Sequence, residues 1–329
     1  MNLIIIGSTG LVGSEFINIL NNFDFLKKDD TVEFIASNKS KGKTINFKNK
    51  EFNIKSFEEI DFQKKNIFIN CSSSELAKLI YGKIKGTTSI MIDNSSAFRL
   101  DVHTPLVVPH INFTKTKSNI YANPNCSTII LSCLLKPLES FIFKRIVVST
   151  YQAASGSGKE GLDELNLQMK EYSEDKKLTQ KFWKRQYVGN CFVHNSSLTD
   201  GFYNTEEMKL INETKKIFNK DELKITSTCI RVPTIRSHCE SVNIEFENPI
   251  TYDQIIKILS NDENISLLDD KSNCNFPDTI ISSNKNEVFV GHIRPDYSLP
   301  ENIGWNFWIS GDQILRGAAY NAFEILKKI

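Results

Sequence analysis

Asn123-Pro124-Asn125-Cys126-Ser127-Thr128 places a thiol where a cysteine can act as a nucleophile. The turn residues Asn123, Pro124 and Asn125 close a short, largely apolar run, and Ile129, Ile130, Leu131, Cys133, Leu134 and Leu135 then supply a helical stripe bounded by Pro137. Cys126 is therefore expected at or next to a helix N-terminus, a position that lowers a thiol pKa. A fall from about 8.5 to about 7 would raise the thiolate fraction at neutral pH from a few per cent to roughly half. Position alone leaves a second reading open, that of a small buried side chain with no chemistry.

Two later stretches carry groups that could serve such a thiol. Arg231 lies in a strand expected over residues 225–236, and His238 follows in Ser237-His238-Cys239-Glu240, before the alternating run 241–246. A histidine between two strands is either a proton shuttle or a satisfied structural group. Thr205-Glu206-Glu207-Met208-Lys209 opens a helix, with Thr205 as the expected N-cap. Glu206 and Lys209, three apart, share a helix face, which is also the spacing of an ordinary surface ion pair.

The elements that must position these groups begin at Asn2-Leu3-Ile4-Ile5-Ile6, a nearly continuous apolar run typical of a central parallel strand. Gly7-Ser8-Thr9-Gly10-Leu11-Val12-Gly13 follows at once, and Phe16, Ile17, Ile19 and Leu20 continue a helical stripe. Strand, glycine turn and helix in that order suggest a dinucleotide site, where small residues let the backbone approach a pyrophosphate. The spacing is G-x-x-G-x-x-G rather than G-x-G-x-x-G, so a structural glycine turn is the alternative. The second strand, 31–36, ends in Ser37-Asn38-Lys39-Ser40-Lys41, where an NAD site would usually carry an acidic residue. Hydroxyls and ammonium groups suit a 2′-phosphate, which predicts NADP with Ser37, Lys39 and Ser40 as its contacts; a solvated basic loop is the alternative.

Further strands are expected at 66–69 and 89–92, separated by a helical segment over 75–83. Their loops, Asn70-Cys71-Ser72-Ser73-Ser74 and Asp93-Asn94-Ser95-Ser96-Ala97-Phe98-Arg99, should face ligands, as loops at the carboxyl ends of strands do in open α/β sheets. Arg99 is then an anion-binding candidate. Beyond the Cys126 helix the pattern changes to a β-branched strand, 145–152, a flexible glycine-rich segment, 153–161, and a charged, partly helical excursion, 162–185. A closing strand at 305–308 feeds an amphipathic helix in which Gly317, Ala318 and Ala319 permit close packing on another backbone.

Composition narrows the function classes. The 329 residues suffice for two domains, and a net charge of +1 offers no argument for nucleic acid or an anionic membrane as partner. Seven scattered cysteines, without a C-x-x-C pair or a histidine at zinc spacing, suit a reducing cytosol and no metal site. The run from Met1 to Ile6 goes straight into the glycine turn, so no signal peptide is expected, and no apolar run approaches a membrane span. The fold class read from these signals is α/β: a Rossmann-type dinucleotide-binding domain plus an α+β domain.

In order along the whole chain, the glycine turn, Pro124-Asn125-Cys126-Ser127-Thr128, Ser149-Thr150-Tyr151-Gln152-Ala153-Ala154-Ser155-Gly156, Glu206-Glu207-Met208-Lys209, Arg231 to His238 and the Gly-Ala-Ala helix resemble the aspartate-β-semialdehyde dehydrogenase family. The resemblance implies a reversible, NADP-dependent conversion of L-aspartate 4-semialdehyde and phosphate into 4-aspartyl phosphate through a cysteine thioester, in the biosynthesis of lysine, threonine and methionine. It makes Cys126 the nucleophile and His238 the acid/base, with Gln152 orienting the reacting group. Arg231 would hold the substrate carboxylate and Glu206 its amino group, while Arg99, Asn125 and Lys209 would bind phosphate. Cofactor contacts carried over in the same way fall on Gly7, Ser8, Thr9, Gly10, Leu11, Val12, Gly13, Ser37, Lys39, Ser40, Ser72, Ser155, Gly156 and Gln313.

The same resemblance implies a cytoplasmic homodimer or tetramer, with residues 1–124 and 312–329 as the NADP-binding domain and 125–311 as the catalytic and dimerisation domain. Three departures stand out. His110 follows Pro109 where the family commonly has an acidic residue; Gln313 stands where many members have asparagine beside the nicotinamide; and residues 188–195 match only loosely. N-acetyl-γ-glutamyl-phosphate reductase shares the architecture and thiol chemistry, but usually carries Gly-Cys-Tyr where this chain has Asn125-Cys126-Ser127. A non-catalytic paralogue acting as a binding module should have lost the nucleophile or its histidine, yet Cys126, Gln152, Arg231 and His238 are all present.

Overall fold

A computed structural model describes residues 1–40 and 42–329. The chain forms two compact units, Met1–Asn125 with Ala318–Ile329, and Cys126–Gly317. In the first, apolar runs bounded by turn residues make five strands: β1 (Asn2–Ile6), β2 (Thr31–Ile35), β3 (Ile67–Asn70), β4 (Ile90–Asp93) and β5 (Ile120–Ala122). They pair in the order β2-β1-β3-β4-β5, all parallel. The chain leaves β1 for β2 on one side and returns for β3 on the other, which puts a topological switch point at the carboxyl end of β1.

Helices cover this sheet because its strands are apolar on both faces. Ile4, Ile6, Phe68 and Met91 share a core with Ala77, Ile80 and Ile84 of α2 (Ser74–Ile84). Phe16 of α1 (Leu11–Asn22) meets Phe323 of the C-terminal helix, Asn321–Lys328, edge to face at 6.4 Å. Asn321 ties that helix down: its Nδ2 donates to Asn123 Oδ1 at 2.6 Å and to Val107 O at 2.9 Å.

The second unit begins at α3 (Cys126–Leu138) and is built on a seven-stranded mixed sheet. Its strands are β6 (Phe143–Gln152), β7 (Phe192–Val193), β8 (Ile225–Arg231), β9 (His238–Phe246), β10 (Ile265–Leu267), β11 (Val288–Pro295) and β12 (Gly304–Gly311), in the order β10-β11-β12-β9-β6-β8-β7. β6 alternates buried Ile146, Val148, Thr150 and Gln152 with half-exposed Val147, Ser149 and Tyr151, so one face carries the core. On that face lie α3 and α5 (Thr205–Phe218), and α4 (Lys159–Ser173) follows β6.

Several sequence expectations are corrected. β8 ends at Arg231 rather than 236, because the chain turns where Tyr187 Oη donates to Val232 O at 2.7 Å. His238 is not between strands but is the first residue of β9. Residues 153–161 form a turn of 3₁₀-helix, Ala154–Ser157, in which Ala154 and Ser155 are buried, and the start of α4 rather than a flexible segment. The helix cap is Asn204, not Thr205: its side chain accepts from Glu206 N and Glu207 N, and Glu207 Oε2 returns to Asn204 N at 2.9 Å. The charged stretch 162–185 is pinned rather than free. Glu164 accepts from the amides of Lys181, Phe182 and Trp183 at 2.8, 2.6 and 3.0 Å, and Trp183 is buried. His110, half-buried, is the second residue of a short helical turn, Pro109–Asn112. Finally, residues 312–317 hydrogen-bond inside the second unit, where Arg236 Nε donates to Asp312 Oδ2 at 2.5 Å.

Candidate active site

The glycine turn sits at the switch point of the first unit. Gly7 has φ +77°, and a Cβ there would lie 2.6 Å from Cys71 O; one on Gly13 would lie 2.2 Å from Gly7 O. Only glycine allows the turn, the β3 loop and α1 to close together this tightly. Ser8 is buried with Oγ donating to Ile35 O at 3.1 Å, while Thr9 is exposed and Gly10, Leu11 and Val12 are half-exposed around the first turn of α1. That cradle fits a dinucleotide pyrophosphate, which needs close backbone approach and a helix N-terminus. Ser37 and Lys39 are exposed and Ser40 half-buried in the 3₁₀ turn Asn38–Ser40 that follows β2; Lys41 lies outside the described residues. Ser72, exposed after β3, donates from its backbone N to Asn70 Oδ1 at 3.2 Å.

A ladder of asparagines, which sequence reasoning missed, organises the other loops of this unit. Asn94 Nδ2 donates to Asn70 O at 3.0 Å, Asn123 Nδ2 to Asn94 Oδ1 at 2.9 Å, and Asn321 to Asn123. It braces the strand ends that carry Arg99 and lead to Asn125. Arg99 is buried, with Nη2 donating to Asn94 O at 2.7 Å, and Asn125 is buried at the end of the unit. The signal was available as a repeated Asn at strand ends, but nothing in spacing says which amides meet.

In the second unit the register of the sheet gathers the remaining candidates. Arg231, the last residue of β8, pairs with Gln152, the last of β6. Antiparallel pairing of Cys239 with Tyr151 brings His238 to the same end of the sheet. Cys126, half-buried, is the first residue of α3, and the next residue, Ser127, accepts from Gln152 Nε2 at 2.8 Å. Gln152 Nε2 also donates to Glu206 Oε1 at 3.2 Å, and Lys209 Nζ donates to Glu206 Oε2 at 3.1 Å. With both partners acceptors, the amide of Gln152 is oriented with Nε2 toward them; its Oε1 is buried with no partner among the described residues.

Arg231 and His238 share the backbone of Ala153. Arg231 Nη1 donates to Ala153 O at 3.0 Å, and Ala153 N donates to His238 Nδ1 at 3.0 Å. An acceptor Nδ1 leaves the ring proton of neutral His238 on Nε2, an atom buried without a partner among the described residues. Burial first, and then the charge of Arg231, pull the His238 pKa down to about 3. A Cβ on Gly156 would lie 3.1 Å from His238 Nε2 and 3.3 Å from Arg231 Nη1, so the glycine keeps this face open. Trp183 holds its ring 5.5 Å from the Arg231 guanidinium. Gln313 Nε2 donates to Ser155 Oγ at 2.6 Å, and its Oε1 accepts from Ser237 N at 2.7 Å, so both ends of that amide engage the protein.

The arrangement joins a thiol at a helix start, a neutral imidazole donor, a buried guanidinium and a carboxylate bound to an amide and an ammonium. Such a set can hold a small zwitterion and carry acyl transfer through sulfur. Among the described residues no group of three or more His, Cys, Asp or Glu could hold a metal ion, and no helix is long and apolar enough to cross a membrane.

Comparison with known proteins identifies the family. Residues 2–119 match the family described as semialdehyde dehydrogenase, NAD binding domain, and residues 135–316 match the semialdehyde dehydrogenase dimerisation domain. The aspartate-semialdehyde dehydrogenase of Prochlorococcus marinus is 38% identical over 328 residues, covering 99% of this chain and 94% of the relative. That of Synechocystis sp. is 36% identical over 324 residues, covering 98% and 95%. The crystal structure of aspartate semialdehyde dehydrogenase II complexed with ASA from Vibrio cholerae matches with a TM-score of 0.92 at 35% identity, covering 99% of this chain and 97% of that one.

Proposed function

The chain belongs to the aspartate-semialdehyde dehydrogenase family, and from that premise we propose that it interconverts L-aspartate 4-semialdehyde plus phosphate and 4-aspartyl phosphate, with NADP, through a thioester on Cys126. The observation that carries this reading is the register that aligns Arg231, Gln152 and His238 at one end of a sheet, with Gln152 bonded to the residue after Cys126. The Vibrio relative bound to ASA supports the substrate.

In the oxidative direction Cys126, as the thiolate, bonds through sulfur to the aldehyde carbon, and the carbonyl oxygen becomes an oxyanion. His238 presents Nε2–H to that oxygen, and the N-terminal turn of α3 offers backbone N–H groups of the kind that stabilise such charge. A nicotinamide cofactor held on the Gly7–Gly13 turn would supply the hydride acceptor for that carbon. A phosphate oxygen then attacks the thioester left on Cys126; the carbon–sulfur bond breaks and the thiolate returns. Arg231 takes the substrate α-carboxylate and Glu206 its ammonium, while Arg99, Asn125 and Lys209 serve phosphate.

NADP rather than NAD is supported by Ser37 and Lys39, which stand exposed where an NAD site would carry a carboxylate. A homodimer is supported by the dimerisation-domain match and by the half-exposed sheet face bearing Tyr151 and Trp308. Seven cysteines with no disulfide among the described residues fit a reducing cytoplasm. The test is phosphate-dependent formation of NADPH from L-aspartate 4-semialdehyde by the wild type and by Cys126→Ala. Activity that needs phosphate and vanishes in the variant is expected; an inactive wild type, or an active variant, overturns the mechanism.

A further inference from the structure

Residues 188–195, which match the family only loosely, supply the group that grips Arg231. β7 pairs antiparallel with β8, Phe192 opposite Arg231 and Val193 opposite Ile230, and His194 N continues the ladder to Cys229 O at 2.8 Å. Alternation along β7 then puts the His194 side chain on the face of Arg231, and Arg231 Nη2 meets His194 Nε2 at 2.6 Å. A guanidinium only donates, so Nε2 is the acceptor in this contact. Nδ1 lies 3.0 Å from Ser196 Oγ and 3.3 Å from Ser196 N, so two atoms of Ser196 hold that edge of the ring. Ser196 Oγ donates to Asn204 Oδ1 at 3.3 Å and accepts from Glu206 N at 3.2 Å. Burial, and after it the charge of Arg231, bring the His194 pKa down to about 4, which keeps the ring neutral at physiological pH.

A continuous chain therefore runs from Arg231 through His194 and Ser196 to the amide of Glu206. The guanidinium is stopped on one side by Ala153 O and on the other by His194 Nε2, while its Nε has no partner among the described residues. We propose that His194 is a positioning residue: it fixes the plane of the Arg231 guanidinium for the substrate carboxylate and, through Ser196, couples that plane to the first turn of α5, which carries Glu206. The inference rests on Arg231 being the carboxylate-binding group.

The test is steady-state kinetics of His194→Leu, His194→Gln, Ser196→Ala and Arg231→Ala with L-aspartate 4-semialdehyde and with 3-aminopropanal, the same aldehyde without the carboxylate. His194→Leu is expected to raise KM for the semialdehyde about tenfold, with kcat changed by less than about twofold. His194→Gln, which restores an acceptor, should recover most of the loss, and Ser196→Ala should raise KM about threefold. With 3-aminopropanal, His194→Leu and wild type should give the same KM. An unchanged KM in His194→Leu, or an equal rise for both aldehydes, overturns the role of His194. Should His194→Leu fail to fold, an unchanged KM in Ser196→Ala overturns it instead. If Arg231→Ala leaves the semialdehyde KM unchanged, the carboxylate reading itself falls; if only Arg231→Ala raises it, that reading stands and the positioning role falls.

Discussion

A Cβ built on Gly317 would lie 2.8 Å from the Cβ of Cys126 and 3.1 Å from its Cα. Those atoms belong to the start of α3, not to a flexible side-chain end, so an added methyl must move a helix terminus or the π turn Leu315–Tyr320 that carries Gly317. Displacement of a nucleophile by even about 1 Å costs up to about a hundredfold in rate. Gly317→Ala is thus expected to lower kcat at least about tenfold and to change the rate at which iodoacetamide alkylates Cys126. Wild-type values for both would show that the close contact is not needed.

That contact also shows what was and was not legible beforehand. Small residues at 317–319 announced a close approach, and the helix start at Cys126 was readable from the turn residues before it. Continuous apolar runs located the parallel strands, and the glycine turn located the switch point, because both depend on neighbours in sequence. The misses depend on distant partners. Residues 162–185 read only as a charged, partly helical excursion because their charge pattern is polar, yet Glu164 caps amides 17 to 19 residues away and seats Trp183 against Arg231. Thr205 looked like the cap because Asn204 and Thr205 are both good cap residues; the reciprocal bond from Glu207 decides for Asn204. The strand carrying Arg231 seemed to run to 236, since Val232 and Ile235 fit a strand, but a tyrosine 45 residues upstream holds the turn. Register, which alone brings Gln152, Arg231 and His238 together, leaves no local mark.

The loop after β2 should set cofactor choice. Ser37→Asp with Lys39→Ala installs the carboxylate expected of an NAD site and removes a cation that a 2′-phosphate would meet. The ratio of kcat/KM for NADP over NAD is expected to exceed one in the wild type and to fall at least about tenfold in the double variant. Equal use of the two cofactors by the wild type would count against this loop as the selector and leave the thiol chemistry untouched.

Glu240 should make the protein less stable as pH rises. It lies in β9 with no exposed surface, opposite Thr150 and Ile309, and neither carboxyl oxygen has a partner among the described residues. Burial therefore holds its pKa well above the usual carboxylate range. A folded pKa above the unfolded value of about 4.3 means that the folded state keeps the proton longer. This contribution is whole below that value and is lost as pH climbs toward the folded pKa, by up to about 1.4 kcal/mol per pH unit. Glu240→Gln, neutral at every pH and nearly the same shape, removes the slope. Its melting temperature relative to wild type should rise as pH climbs above about 5; parallel profiles would mean that Glu240 is ionised in the folded protein.

His238 should not titrate over the same range. The unambiguous donor at Ala153 N fixes Nδ1 as acceptor, so the ring enters the reaction as a neutral Nε2–H donor. Its folded pKa of about 3 lies below the unfolded value of about 6.5, so its contribution to stability is present above about pH 6.5 and lost as pH falls toward the folded value. With 15N-labelled histidine, the His238 resonances, identified by their absence in His238→Asn, are expected to show the Nε2–H tautomer unchanged from about pH 5.5 to about pH 8. Conversion to imidazolium near pH 6.5 would make the residue an ordinary proton shuttle in the free enzyme. A proton found on Nδ1 would instead take the donor away from the reacting oxygen and require another group to stabilise the oxyanion.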